Sequence, residues 1–184
     1  MDTPPTLRRY NRSSMALHWL MAVLLAATVA AIELKGIYPK GSPGRALLQS
    51  VHFSLGLSVF GLVWLRLLAR ALGTAPPITP APPAWQTRLA HLVHAALYLL
   101  MIGLPLLGWL SLSAQGQPVA LPWGVPLPLA PLAESRDTAR WLKDLHETGA
   151  TVGFVLVGLH TAAALLHHYG LRDNTLPRML PGQR

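Results

Sequence analysis

Polar and apolar positions fall in long blocks along this chain. Four blocks are apolar over about 20 residues or more, roughly 14–34, 48–70, 88–113 and 141–169, and at about 1.5 Å per residue each can cross a bilayer as a helix. The first is longer than the apolar part of a signal peptide, and no convincing small-residue cleavage site precedes Glu33, so it is read as retained. The segment "APPITPAPP" (75–83) predicts a stiff extended linker, because proline breaks helix and fixes φ. "GQPVALPWGVPLPLAPLAE" (116–134) is apolar yet holds Pro118, Pro122, Pro126, Pro128 and Pro131, which predicts an irregular segment lying against the membrane surface or the bundle mouth. No internal repeat is visible. Four such helices in 184 residues predict one domain, 1–184, an all-α integral membrane protein built as a four-transmembrane-helix bundle.

Composition narrows the chemistry. The chain is 52% hydrophobic and 12% charged, with a mean hydropathy of +0.38, too apolar for an ordinary soluble domain. With no cysteine, disulfides, thiolate metal sites, iron–sulfur clusters and thiol catalysis are excluded. The net charge of +8 points to topology signals and anionic membrane lipid, and the scatter of basic residues between apolar blocks argues against nucleic acid. One set of flanks carries nine basic residues, Arg8, Arg9, Arg12, Arg66, Arg70, Arg88, Arg172, Arg178 and Arg184; the other carries six, Lys35, Lys40, Arg45, Arg136, Arg140 and Lys143. The positive-inside rule then places both termini in the cytoplasm.

Eight histidines in such a chain need partners, since an unpaired polar group in hydrocarbon is costly and faces the bundle interior. His146 and His160 are 14 residues apart, about 40° short of four full turns and about 21 Å of rise, so they share one face at two depths. Gly149, Gly153 and Val157 lie on that stripe, which suits either a flat macrocycle or a small-residue helix contact. The second block repeats the spacing with His52 and Arg66, and Arg70 follows one turn later. An inner haem is placed to offer propionates to Arg66 or Arg70, which also serve as ordinary positive-inside anchors. With alternating helix directions, His52 and His146 lie near the outer side, while His18, His94 and His160 lie near the inner one. Two bis-histidine haems follow, with either His18 or His94 facing His160. Zinc fits less well, because its four ligands would have to meet at one depth.

The runs "ALHWLMAVLL", "VHFSLGLSVFGLVWLRLLAR", "LAHLVHAALYLLMIGLP" and "HETGATVGFVLVGLHTAAALLHHYGLRDNTLPRMLP" resemble the bacterial cytochrome b561 family over roughly residues 14–181, most closely its superoxide-oxidising members. The resemblance implies a multi-pass protein of the bacterial inner membrane with two haem b groups, whose iron is held by His18 with His160 and by His52 with His146. His94 is then released from ligation and, with His91, suits the membrane interface. His167, seven residues beyond His160 on nearly the same face, becomes a candidate contact for quinone at the inner site, while His168 faces elsewhere.

The reaction so implied is that of a superoxide:ubiquinone oxidoreductase, oxidising superoxide to dioxygen outside and reducing ubiquinone inside. The six outer basic residues are opposed by Glu33, Glu134, Asp137, Asp144 and Glu147, so a net outer charge of about +1 would steer an anion only by local clustering. Two other readings stand beside this one. The same scaffold serves as a cytochrome b subunit relaying electrons from a dehydrogenase partner to the quinone pool, although no protein partner is indicated; or the chain is a haem-free metal transporter or structural membrane protein.

Overall fold

The computed structural model describes residues 8–120 and 126–181, so Pro122 and Arg184 lie outside the described residues. Four helices are long and apolar enough to cross a membrane: α1 (Arg12–Leu34), α2 (Pro43–Leu72), α3 (Ala84–Ser113) and α4 (Arg136–Tyr169). α1, α2 and α4 each start at a side chain that accepts from a free N–H group of the first turn. Asn11 accepts from the Ser14 N–H at 2.7 Å, Ser42 from Arg45 at 3.4 Å and Ser135 from Thr138 at 3.2 Å. Pro43 opens α2, where proline costs no hydrogen bond. These caps carry α2 and α4 several residues beyond the apolar blocks, because the helix goes on into polar surroundings wherever a cap can end it. α3 begins at Ala84, directly after the proline run.

α1 packs along α2 and α3 along α4, and the two hairpins meet chiefly through α2 and α3. Met21, Val59 and Val63 form the central core with Leu24, Leu62, Tyr98 and Met101 around them. A second cluster, Ala114, Ala139 and Leu142, closes α3 on α4 at the outer end. Elsewhere large apolar side chains such as Val23, Leu99 and Phe154 face outward, as lipid-facing positions should. α4 makes little contact with α1 and α2. α4 meets the first hairpin chiefly through side chains, the histidine pairs among them.

The described parts of the proline-rich segment, 116–120 and 126–134, hold a short strand pairing that the prolines do not predict. β1 (Val119–Ala120) and β2 (Pro126–Leu127) pair antiparallel. The segment is pinned to the end of α3: Trp109 Nε1–H donates to the Pro128 carbonyl at 3.0 Å, and the Ala130 N–H donates to Ser113 Oγ at 3.0 Å. Side-chain partners on α3 satisfy a backbone that the prolines keep from pairing regularly.

Candidate functional site

At the outer level α2 and α4 bring His52 and His146 together, with ring centres 6.3 Å apart and planes at 77°. His52 Nδ1 donates to the Thr28 carbonyl at 2.9 Å, and His146 Nδ1 donates to the Leu104 carbonyl at 2.8 Å. A carbonyl only accepts, so both rings carry the proton on Nδ1 and keep a lone pair on Nε2. α1 and α3 thus supply the groups that orient histidines on α2 and α4. Gly108, one turn past Leu104, leaves room for this, since a Cβ there would lie 3.4 Å from the His146 ring.

At the inner level His18 of α1 faces His160 of α4, again with ring centres 6.3 Å apart, at 38°. His94 joins them. Its ring is 5.1 Å from that of His160, edge to face, and its Nδ1 donates to the Ala90 carbonyl at 2.6 Å. Interfacial placement suits the exposed His91 but not His94. His94 lies ten residues into α3 and is partly buried against His160, where His91 is exposed. Arg66 lies within electrostatic range of His18, His94 and His160, and its Nε donates to the Tyr98 hydroxyl at 3.1 Å. Arg70, more exposed, reaches His94 only as a charge.

Two imidazoles binding one metal from opposite sides, each at about 2 Å, hold their ring centres roughly 6 Å apart. Both pairs stand at that separation. Both pairs join α4 to the first hairpin, and a Cβ on Gly56, one turn from His52, would meet no atom within 4 Å. Among the described residues no three or more His, Asp or Glu converge as a simple ion site would need. The residues therefore suit a flat group with two axial positions, the coordination of a b-type haem.

The profile of the prokaryotic cytochrome b561 family matches residues 9–182. The chain belongs to this family. Cytochrome b561 homolog 1 of Escherichia coli (strain K12) is 37% identical, covering 97% of this chain and 100% of that one. A probable superoxide oxidase CybB of Yersinia pestis is 36% identical, covering 96% and 98%, and cytochrome b561 homolog 2 of E. coli is 35% identical, covering 98% and 95%. Membership makes this a multi-pass membrane protein of electron transfer, oxidoreductase in type, and implies b-type haem.

For a cytochrome b561 the glycines of α4 do a different job from a macrocycle surface. A Cβ on Gly149 would lie 2.8 Å from Leu104 Cδ2, and one on Gly153 would lie 3.5 Å from Leu100 Cδ1. The stripe is the α3–α4 contact, the second of its two readings.

Below the inner level the chain ends in a clasp that sequence reasoning did not identify. His167 Nδ1 donates to Asp173 Oδ2 at 2.5 Å, and the Thr175 N–H donates to Asp173 Oδ1 at 2.8 Å. Burial alone would raise the Asp173 carboxyl, but the hydrogen bonds from His167 and Thr175 outweigh it and hold the group below the usual carboxylate range. Arg178, buried, donates to the Pro76 carbonyl and stacks on Tyr10. Its burial lowers the guanidinium from its ordinary value, against the opposing influence of Tyr10 and Asp173. Asn174 accepts from the Thr79 N–H at 2.9 Å and donates to the Pro77 carbonyl at 3.3 Å, so the proline linker is tied down along its length. The only signal in the sequence is a polar run, "DNTLPR", directly after an apolar helix. His168 stacks edge to face on Tyr169 and takes no part in the clasp.

At the outer mouth the basic residues do not act alike. Arg45 donates to the carbonyls of Lys35 and Tyr38 at 3.1 and 3.3 Å, clamping the α1–α2 turn. Lys143 pairs with Glu147 at 2.6 Å, and Arg140 stands 3.9 Å from Asp137. Lys35 lies within electrostatic range of Arg45, Lys143 and Glu147, and of His52. Three of the six, Lys35, Arg45 and Lys143, therefore cluster around Lys35, and Lys35 is the one that reaches His52.

Proposed function

We propose that this protein is a di-haem superoxide:ubiquinone oxidoreductase of the bacterial inner membrane, with both termini in the cytoplasm. His52 and His146 hold the outer haem iron, His18 and His160 the inner one. Bound haem supplies one-electron chemistry. The chain supplies the rest. Lys35, Arg45 and Lys143 draw the superoxide anion to the outer mouth, Arg66 and Arg70 pair with propionates at the inner level, and His167 contacts the quinone. Two superoxide anions each lose one electron and leave as dioxygen, while one ubiquinone gains both electrons and two protons.

The observation that carries this reading is the pair of opposed imidazole sets at two depths of one bundle, each with ring centres 6.3 Å apart. A relative named as a probable superoxide oxidase supports the choice of donor. The test is superoxide consumption by purified protein with and without a short-chain ubiquinone. Consumption that needs quinone and yields one ubiquinol per two superoxide anions is the expected result. Indifference to superoxide overturns it in favour of an electron relay to the quinone pool, and an absorption spectrum without b-type bands favours a haem-free protein.

A further inference from the structure

α4 ends in a polar arrangement of which the reaction above uses only His167. Asp173 is a carboxylate with both oxygens engaged, one by His167 Nδ1–H and one by the Thr175 N–H, and its own N–H donates to the His167 carbonyl at 3.1 Å. Its side chain is only 4% exposed and that of His167 17%. The carboxylate is held on one oxygen by the Thr175 N–H and on the other by the His167 ring, while the Asp173 backbone is tied to the His167 carbonyl. Arg178, the neighbouring charge, is committed to the Pro76 carbonyl and to Tyr10. On the imidazole, Nε2 makes no hydrogen bond among the described residues and is not sealed from the outside. A ring whose one nitrogen is gripped by a buried carboxylate, with the other left open, can exchange a proton at one defined atom.

We propose that Asp173 is the positioning residue for His167, fixing Nδ1–H and steadying the protonated ring so that Nε2–H delivers one of the two protons quinone takes up at the inner side. The inference rests on the quinone reading above. Quinone gains two electrons drawn from superoxide; as it does, one quinone oxygen forms an O–H bond while the His167 Nε2–H bond breaks. The neutral ring keeps its Nδ1 proton and regains the other from cytoplasmic water, which also supplies the second quinone proton directly. Asp173 stays ionised throughout.

The test isolates the quinone step. Protein reduced with dithionite is mixed with a short-chain ubiquinone, and its reoxidation is followed for wild type, Asp173→Asn, His167→Gln and the double variant. Each single change is expected to lower the limiting rate about ten- to a hundredfold, with the half-saturating quinone concentration moving by less than about threefold. The double variant should be no slower than the slower single one, because the two groups act as a unit. In histidine-labelled protein, ¹⁵N NMR should show a protonated Nδ1 that vanishes in His167→Gln and is lost from its hydrogen-bonded position in Asp173→Asn. A limiting rate equal to wild type in Asp173→Asn overturns the proposal, as does loss of haem with each remaining haem reacting at the wild-type rate, which marks a purely structural role. A wild type that cannot reduce quinone overturns the quinone reading itself, and this one with it.

Discussion

A histidine whose Nδ1 is given to a carbonyl has one nitrogen left for a metal, and its ring plane is fixed in advance. His52 and His146 are both in that state. Replacing either by alanine should leave the inner haem and remove the outer one, so that haem quantitation falls to about one per chain. His18→Ala and His160→Ala should do the converse, and a content near two in any of the four variants would sink the assignment. Asp173 carries a second prediction at this scale. A carboxyl depressed in the folded state contributes stability that is present above its unfolded value, about 3.9, and lost as pH falls through the lower folded one. Wild type should therefore melt above Asp173→Asn at neutral pH, and the gap should begin to narrow below about pH 4 and go on narrowing as the acidity rises. A gap equally wide at about pH 7 and about pH 3 would show that charge is not what Asp173 contributes.

The α3–α4 contact is the element on which the outer pair depends, because Leu104 both packs against Gly149 and holds His146 through its carbonyl. Gly149→Leu should force the helices apart, at a cost of about 1–3 kcal/mol, and loosen the outer haem before the inner one. Gly158→Leu is the control, since a Cβ there meets nothing within 4 Å. Equal melting temperature and haem content in the two variants would refute this account. The same glycines mark how far the sequence could be read. Periodicity shows that His146, Gly149 and His160 share a face, because 3.6 residues per turn fixes rotation and rise, but it does not show what that face meets. The depths of the histidines were legible for the same reason. The choice between His18 and His94 opposite His160 was not, and the structure sets both beside it, His18 at 6.3 Å and His94 at 5.1 Å. The clasp was out of reach, since it joins Thr79 to Asn174 across 95 positions of sequence, and no local pattern encodes such a meeting.

Over the whole molecule, charge is arranged so that its sum is a poor guide. The outer side is nearly neutral by count, yet Arg136 and Arg140 lie in the first turns of α4 with Asp137, while Arg45 and Lys143 cluster around Lys35, which reaches His52, and Lys143 is paired with Glu147. A field of that kind acts on an anion over about a Debye length, about 10 Å at 0.1 M salt and about 3 Å at 1 M. If superoxide is the donor, its second-order rate should fall several-fold between about 10 mM and 500 mM salt, since steering of this kind raises on-rates by about tenfold or more. Lys35→Glu should lower the rate at low salt and flatten the dependence, while Lys40→Glu, farther along the exposed turn, should change it less. Arg45 is a poor choice for the same test, because its removal would also release the α1–α2 turn. A rate indifferent to salt in the wild type, or an equal response in the two lysine variants, would mean that the cluster only solvates the surface and that superoxide reaches the outer site unaided.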